Sequence, residues 1–151
     1  LKVTFDPQIT YVTDVVNNFP AVTDVSWCDG LSDYGESNYF SYYIEGAEFA
    51  SSYDGSDDLI RVYFDMANLS DESRSPGIYT TIYAIQDGVE MLYGYAADWS
   101  DSDDLYYDDV APGESAVISR CWAIRSHSPV LVLIYDYMND EWTGCTFTFP
   151  D

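Results

Sequence analysis

Ile60-Arg61-Val62-Tyr63-Phe64-Asp65-Met66 is the stretch whose reading decides the fold. Ile60, Val62, Phe64 and Met66 alternate with Arg61, Tyr63 and Asp65, the period of two that sets apolar side chains on one face of a pleated strand and polar ones on the other. Downstream, Asn68 to Gly77 is a Ser- and Asp-rich loop closing on Pro76-Gly77, and a second strand runs through Ile78, Thr80, Ile82 and Ala84. It enters Gln86-Asp87-Gly88-Val89, where Asp-Gly between strands signals a tight hairpin, and the returning strand covers Glu90 to Tyr95. Beyond a long acidic loop, Ala116, Ile118, Trp122 and Ile124 share one strand face. Val130 to Tyr135 is apolar on both faces, as in a central strand. The last strand sets Thr143, Cys145, Phe147 and Phe149 on one side.

Upstream of the deciding stretch, Tyr39 to Phe49 is another aromatic strand, leading into an Asp54-Gly55 turn. The pattern predicts an all-β antiparallel sandwich occupying residues 38–151. Its core is expected at Ile60, Val62, Phe64, Ile82, Ile118, Trp122, Val132, Ile134 and Phe147. Residues 1–37 are broken by Asp6-Pro7, Phe19-Pro20 and Asp29-Gly30 into pieces too short for an independent domain. They are expected to form an extension or an edge hairpin, with Ile9–Val16 and Ala21–Trp27 as its strands.

Composition agrees with strands joined by acidic turns. The chain has 151 residues, 47% of them hydrophobic, with 15 Tyr and 4 Trp, so it can bury a core despite a formal charge of −22. Five residues are Lys or Arg: Lys2, Arg61, Arg74, Arg120 and Arg125. Such a field repels phosphate backbones and anionic lipid, which excludes nucleic acid and membrane surfaces as partners and leaves cations, proteins and glycans. No apolar run reaches membrane-spanning length. The chain starts at Leu1, which leads us to expect that an upstream segment has been removed. Three cysteines without CxxC spacing and a single histidine do not make a zinc site.

The acidic run offers the candidate ligand site. Asp98, Asp101, Asp103, Asp104 and Asp109 could supply oxygens to a calcium ion, which takes about six to eight of them. EF-hand grammar fails, because Asp103 stands where a frame starting at Asp98 needs glycine, and that frame ends on Asp109. Calcium is therefore weighed against a solvated loop. Tyr63, Tyr83, Trp99, Tyr106 and Tyr107 are candidates for stacking on sugars or peptides, since their alternation or loop position suggests exposure. Carboxylates about 5 to 9 Å apart would suit a glycoside hydrolase, but acids in turns keep their aqueous pKa. His127, set between serines and before Pro129, reads as loop rather than catalyst. No cofactor other than calcium is expected, and no enzyme activity.

The stretch from about Tyr42 to Tyr137 resembles a family of extracellular immunoglobulin-like domains of unknown function, found on lipoproteins and secreted proteins of Gram-positive bacteria. The resemblance is carried by Ile60 to Asp65 followed by Asn68-Leu69-Ser70-Asp71-Glu72, then Ala84 to Glu90, Ala111-Pro112-Gly113-Glu114, and Ser126-His127-Ser128-Pro129-Val130. It implies an immunoglobulin-like sandwich in an extracytoplasmic location, secreted or anchored at the cell surface by an upstream lipid. It carries no chemistry. A non-catalytic binding module is the function expected; a carbohydrate-recognition or calcium-dependent adhesion domain is the alternative, and a small acid-dependent glycoside hydrolase the third reading. An exported location permits oxidation, so a Cys121–Cys145 disulfide with Cys28 free is expected, while pairing through Cys28 and fully reduced thiols stay open.

Overall fold

In the computed structural model, residues 4–8 and 31–150 are described. The two strands of the expected N-terminal hairpin, and Cys28, lie outside them. Among the described residues nine strands follow in chain order: β1 (Thr4–Gln8), β2 (Tyr34–Glu36), β3 (Phe40–Ser51), β4 (Asp58–Asn68), β5 (Thr80–Gln86), β6 (Val89–Glu90), β7 (Ser115–Ala123), β8 (Val130–Asp136) and β9 (Glu141–Thr148). All pairings are antiparallel. One sheet holds β2, β1, β3, β4 and β7, the other β6, β5, β8, β9 and β1. The two sheets pack as a sandwich. β1 joins them, pairing Thr4–Phe5 with β3 and Asp6–Gln8 with β9.

Period-two alternation builds the core. All nine residues expected there are buried in a single cluster between the sheets. On β3 the alternation changes parity at a bulge between Ile44 and Gly46. Phe40, Tyr42 and Ile44 face inward before it and Ala47 after it, as an inserted residue requires. The shift also places Glu48 opposite Arg61 on β4. Asp87 and Gly88 have φ of 54° and 73°, the left-handed pair that a two-residue type I′ hairpin needs, so the expected turn is present.

Three elements differ from the sequence reading. The segment expected as a strand from Ile78 begins instead with a single helical turn, α1 (Pro76–Tyr79), and β5 starts at Thr80. Proline at the first helical position favours that turn, because its fixed φ is already helical. The strand expected over Glu90–Tyr95 runs with β5 for two residues only, as β6. The chain then crosses to the other sheet, where Tyr93 bridges Trp122, Gly94 N–H donates to the Cys121 carbonyl and Ala123 N–H donates to the Leu92 carbonyl. Glycine leaves room there: a Cβ on Gly94 would lie 2.5 Å from the buried Leu59 side chain, which would have to shift.

The third difference concerns the cysteines. Cys121 and Cys145 are both free and buried, which corrects the expected bridge. Cys121 packs with Leu59 and Ala96 on the outer face of its sheet, whereas Cys145 lies in the inter-sheet core. Burial pushes both thiols up to about 12. Among the described residues no helix is long and apolar enough to cross a membrane.

Candidate functional site: an aromatic groove held by a buried arginine

Arg61 is the side chain on which the site is built. Alternation puts it on the outer face of β4, where solvent would be expected, yet it is 1% exposed. Across the sheet it stands between Glu48 on β3 and Cys121 on β7. The acidic loop folds down over it. Arg61 Nη2 donates to Asp103 Oδ2 at 2.8 Å and to the Asp98 carbonyl at 3.1 Å, Nε donates to Asp103 Oδ1 at 3.2 Å, and Nη1 reaches Glu48 Oε1 at 3.4 Å. Two parallel bonds from one guanidinium to one carboxylate make the strong bidentate form of an ion pair.

Asp103 is equally committed. It sits in a 3₁₀ turn, Asp101–Asp104, whose capping box joins Ser100 and Asp103 reciprocally. Ser119 on β7 donates its hydroxyl to Asp103 Oδ1. Burial alone would raise the Asp103 carboxyl, but the bonds from Arg61, Ser119 and the Ser100 N–H outweigh it and hold the group below the usual carboxylate range. For Arg61, burial acts to lower the pKa, and the bond and charge of Asp103 more than reverse it, so the guanidinium is fixed as a cation. Glu48 also accepts the Tyr63 hydroxyl at 2.7 Å; burial, reinforced by that bond, pushes the phenol up to about 12.

Folded in this way, the loop becomes one wall of a half-open groove of about 270 Å³. Tyr93 and Tyr95, from the crossing strip, also line it, together with Trp99, Tyr106 and Tyr107 from the loop. Tyr95 and Trp99 stack on each other with centroids 6.3 Å apart and are 72% and 50% exposed. Tyr106 is buried, donating its hydroxyl to the Thr80 carbonyl at 2.8 Å. Arg120 of β7 lies between two rings, 4.5 Å from the centroid of Tyr93 and 4.7 Å from that of Tyr106. On the far side of the Tyr93–Tyr95 strip a second groove of about 260 Å³ is lined by Tyr53, Asp54 and Asp57.

The residues singled out from sequence are thus partly brought together. Trp99 and Tyr107 meet at the groove and are exposed as expected; Tyr106 also lines it but is buried with its hydroxyl on Thr80, which corrects its expected exposure. Tyr63 is tied to Glu48, and Tyr83 is on the other sheet against Trp142, 5.9 Å between centroids. Of the five aspartates, Asp98 and Asp103 turn to Arg61, and Asp101, Asp104 and Asp109 are exposed. Among the described residues no three His, Cys, Asp or Glu side chains converge on a metal-sized point. Tyr93, Tyr95 and Arg120 were missed. Tyr93 and Tyr95 were hidden inside a presumed hairpin strand, and nothing in the local pattern shows that the chain leaves its sheet there.

The model of the family described as "Domain of unknown function (DUF5067)" matches residues 32–136. The chain belongs to the DUF5067 family. Every groove residue falls within the matched span, so the site is part of this DUF5067 domain and not of its flanks. No curated protein matches the chain.

Two solved structures share the fold. One is described as a "putative lipoprotein" from Staphylococcus aureus, with TM-score 0.59 and 16% identity over 77% of this chain and 88% of that one. The other carries the same description, from Bacillus subtilis, with TM-score 0.59 and 13% identity over 80% of this chain. The DUF5067 chain spans 39% of that second protein.

Proposed function

We propose that this DUF5067 domain is an extracytoplasmic, immunoglobulin-like recognition module of the cell envelope, that it does not catalyse, and that its ligand binds in the groove lined by Tyr93, Tyr95, Trp99 and Tyr107. The observation that carries the proposal is the exposure of Tyr95 and Trp99 on a preformed groove. Tyr and Trp provide large, rigid contact area at little conformational cost, which is why they dominate recognition surfaces. Here the wall that bears Trp99 is already ordered by Arg61, so binding need not order it again. The description of the two structural neighbours as lipoproteins supports the envelope location. The absence of catalysis is supported by the state of the groove's acids: Asp103 is held ionised by Arg61, and Asp104 is exposed. Asp103 is therefore not tuned as a proton donor.

The test is a titration of the folded domain with two panels, oligomers of neutral amino sugars and short peptides of varied charge, read by tryptophan fluorescence and repeated with Trp99→Ala. Binding that is weakened about tenfold or more by Trp99→Ala, with an unchanged melting curve, supports the groove. Binding that survives the substitution undiminished rules the groove out as the site.

A further inference from the structure

The groove's chemistry narrows the ligand. Resting on the reading of the groove as the recognition site, we infer that its occupant is an extended basic segment of a partner protein, with arginine side chains laid against Tyr95 and Trp99. Charge complementarity is the first argument. With Asp103 paired to Arg61, the groove and its neighbour across the strip are lined by three further aspartates, Asp104, Asp54 and Asp57, against one cation, Arg120. The whole chain carries a formal charge of −22. A cationic partner is drawn into such a field, and an anionic one is repelled.

The second argument is that the protein already shows how these rings hold a guanidinium. Arg120 lies between Tyr93 and Tyr106, and Arg74 lies 4.1 Å from the Tyr39 centroid and 5.7 Å from that of Tyr79. Tyr95 and Trp99 offer the same kind of aromatic face on the same groove, and they are exposed. The π-face of tryptophan is the best of the three aromatic surfaces for a cation.

The third argument favours an extended chain over a small cation. In the Tyr93–Trp122 pair the ladder bonds are made by Leu92 and Gly94. In that kind of antiparallel pair the central residue's own N–H and C=O point away from the neighbouring strand. Tyr93 therefore turns a backbone donor and acceptor toward the second groove, while the Tyr95 carbonyl beyond it is already taken by the Tyr53 N–H. A peptide group can satisfy that donor and acceptor together, which a small cation cannot.

The experiment uses three fluorescein-labelled nonapeptides of alternating serine and a second residue: arginine, its neutral isostere citrulline, or glutamate. Anisotropy is read at about 0.15 M salt, where charges farther apart than about 8 Å are screened. The arginine peptide is expected to bind and the other two are not. Tyr95→Ala and Trp99→Ala, which leave the net charge unchanged, should each weaken binding about five- to tenfold, the size of a partly desolvated cation–π contact. Equal affinity of wild type and Trp99→Ala for the arginine peptide would mean diffuse charge attraction and overturns the inference. So does preferential binding of the glutamate peptide that is lost in Arg120→Ala, which would make the groove an anion receptor. A neutral sugar or peptide that binds through Trp99 while the arginine peptide does not would sink this inference and leave the groove reading intact.

Discussion

Asp103→Asn removes one negative charge from the Arg61 clasp and little else. The side chains of Arg61 and Asp103 are 2% and 4% exposed, with 2.8 Å between Nη2 and Oδ2. At an effective dielectric of about 20, unit charges near 4 Å attract by about 4 kcal/mol. Asparagine keeps part of the hydrogen bonding, and Glu48 and Asp98 still face the guanidinium, so the expected loss is about 2 to 3 kcal/mol rather than the 3 to 5 typical of a fully orphaned buried charge. For a chain of this length that corresponds to a fall in Tm of about 5 to 10 °C.

Urea denaturation gives the free energy, and a double-mutant cycle isolates the pair. Arg61→Met leaves Glu48, Asp98 and Asp103 without their cation and should cost about 3 to 5 kcal/mol. Adding Asp103→Asn to it should cost less than Asp103→Asn does alone, for a coupling of about 2 kcal/mol. A loss below about 0.5 kcal/mol for Asp103→Asn, the range of an ordinary surface change, would refute the clasp.

Further outcomes follow from the same structure. Because Asp103 is held below the usual carboxylate range, the unfolded chain takes up its proton first; stability is full above about pH 4 and falls as pH drops below it, and Asp103→Asn should shallow that fall in urea titrations at pH 3 to 6. Iodoacetamide should leave Cys121 and Cys145 unmodified in the native protein and label both in urea, since each thiol is buried and pushed up to about 12; a crosslinked Cys121–Cys145 peptide from non-reducing mapping contradicts the core packing. Trp122→Ala, deleting a side chain 1% exposed, should cost about 3 to 5 kcal/mol in urea unfolding, and a cost under about 1 kcal/mol would place that ring outside the core. Gly94→Ala forces its Cβ to within 2.5 Å of Leu59 and should destabilise by about 1 to 3 kcal/mol, with weaker arginine-peptide binding because the Tyr93–Tyr95 strip must move.

How much of this was legible beforehand differs between the core and the site. The core is a local property: Ile60, Val62 and Phe64 declare their face by alternation, and the same rule finds Ile118 and Trp122. Arg61 occupies a position in that alternation that predicts solvent, and its burial comes from Asp98 and Asp103, some forty residues downstream. Sequence grammar has no term for such a contact. From sequence the acidic loop is either a calcium site or a solvated loop; neither reading contains Arg61 of β4, which faces Asp98 and Asp103. Trp99, Tyr106 and Tyr107 were visible as loop aromatics, whereas Tyr93, Tyr95 and Arg120 join them only through the crossing after β6. The Cys121–Cys145 expectation failed for the same reason: period-two reading gives faces within a strand and says nothing about which faces of two sheets meet.

The central claim is that the acidic loop is a folded wall of the groove held by Arg61, and amide hydrogen exchange over residues 98–109 tests it most directly. In buffer containing a chelator, the loop of the wild-type protein should exchange slowly, and Asp103→Asn should exchange faster there while β4 and β8 stay protected. Fast exchange of the wild-type loop in chelator, with protection restored by millimolar calcium, would contradict the account.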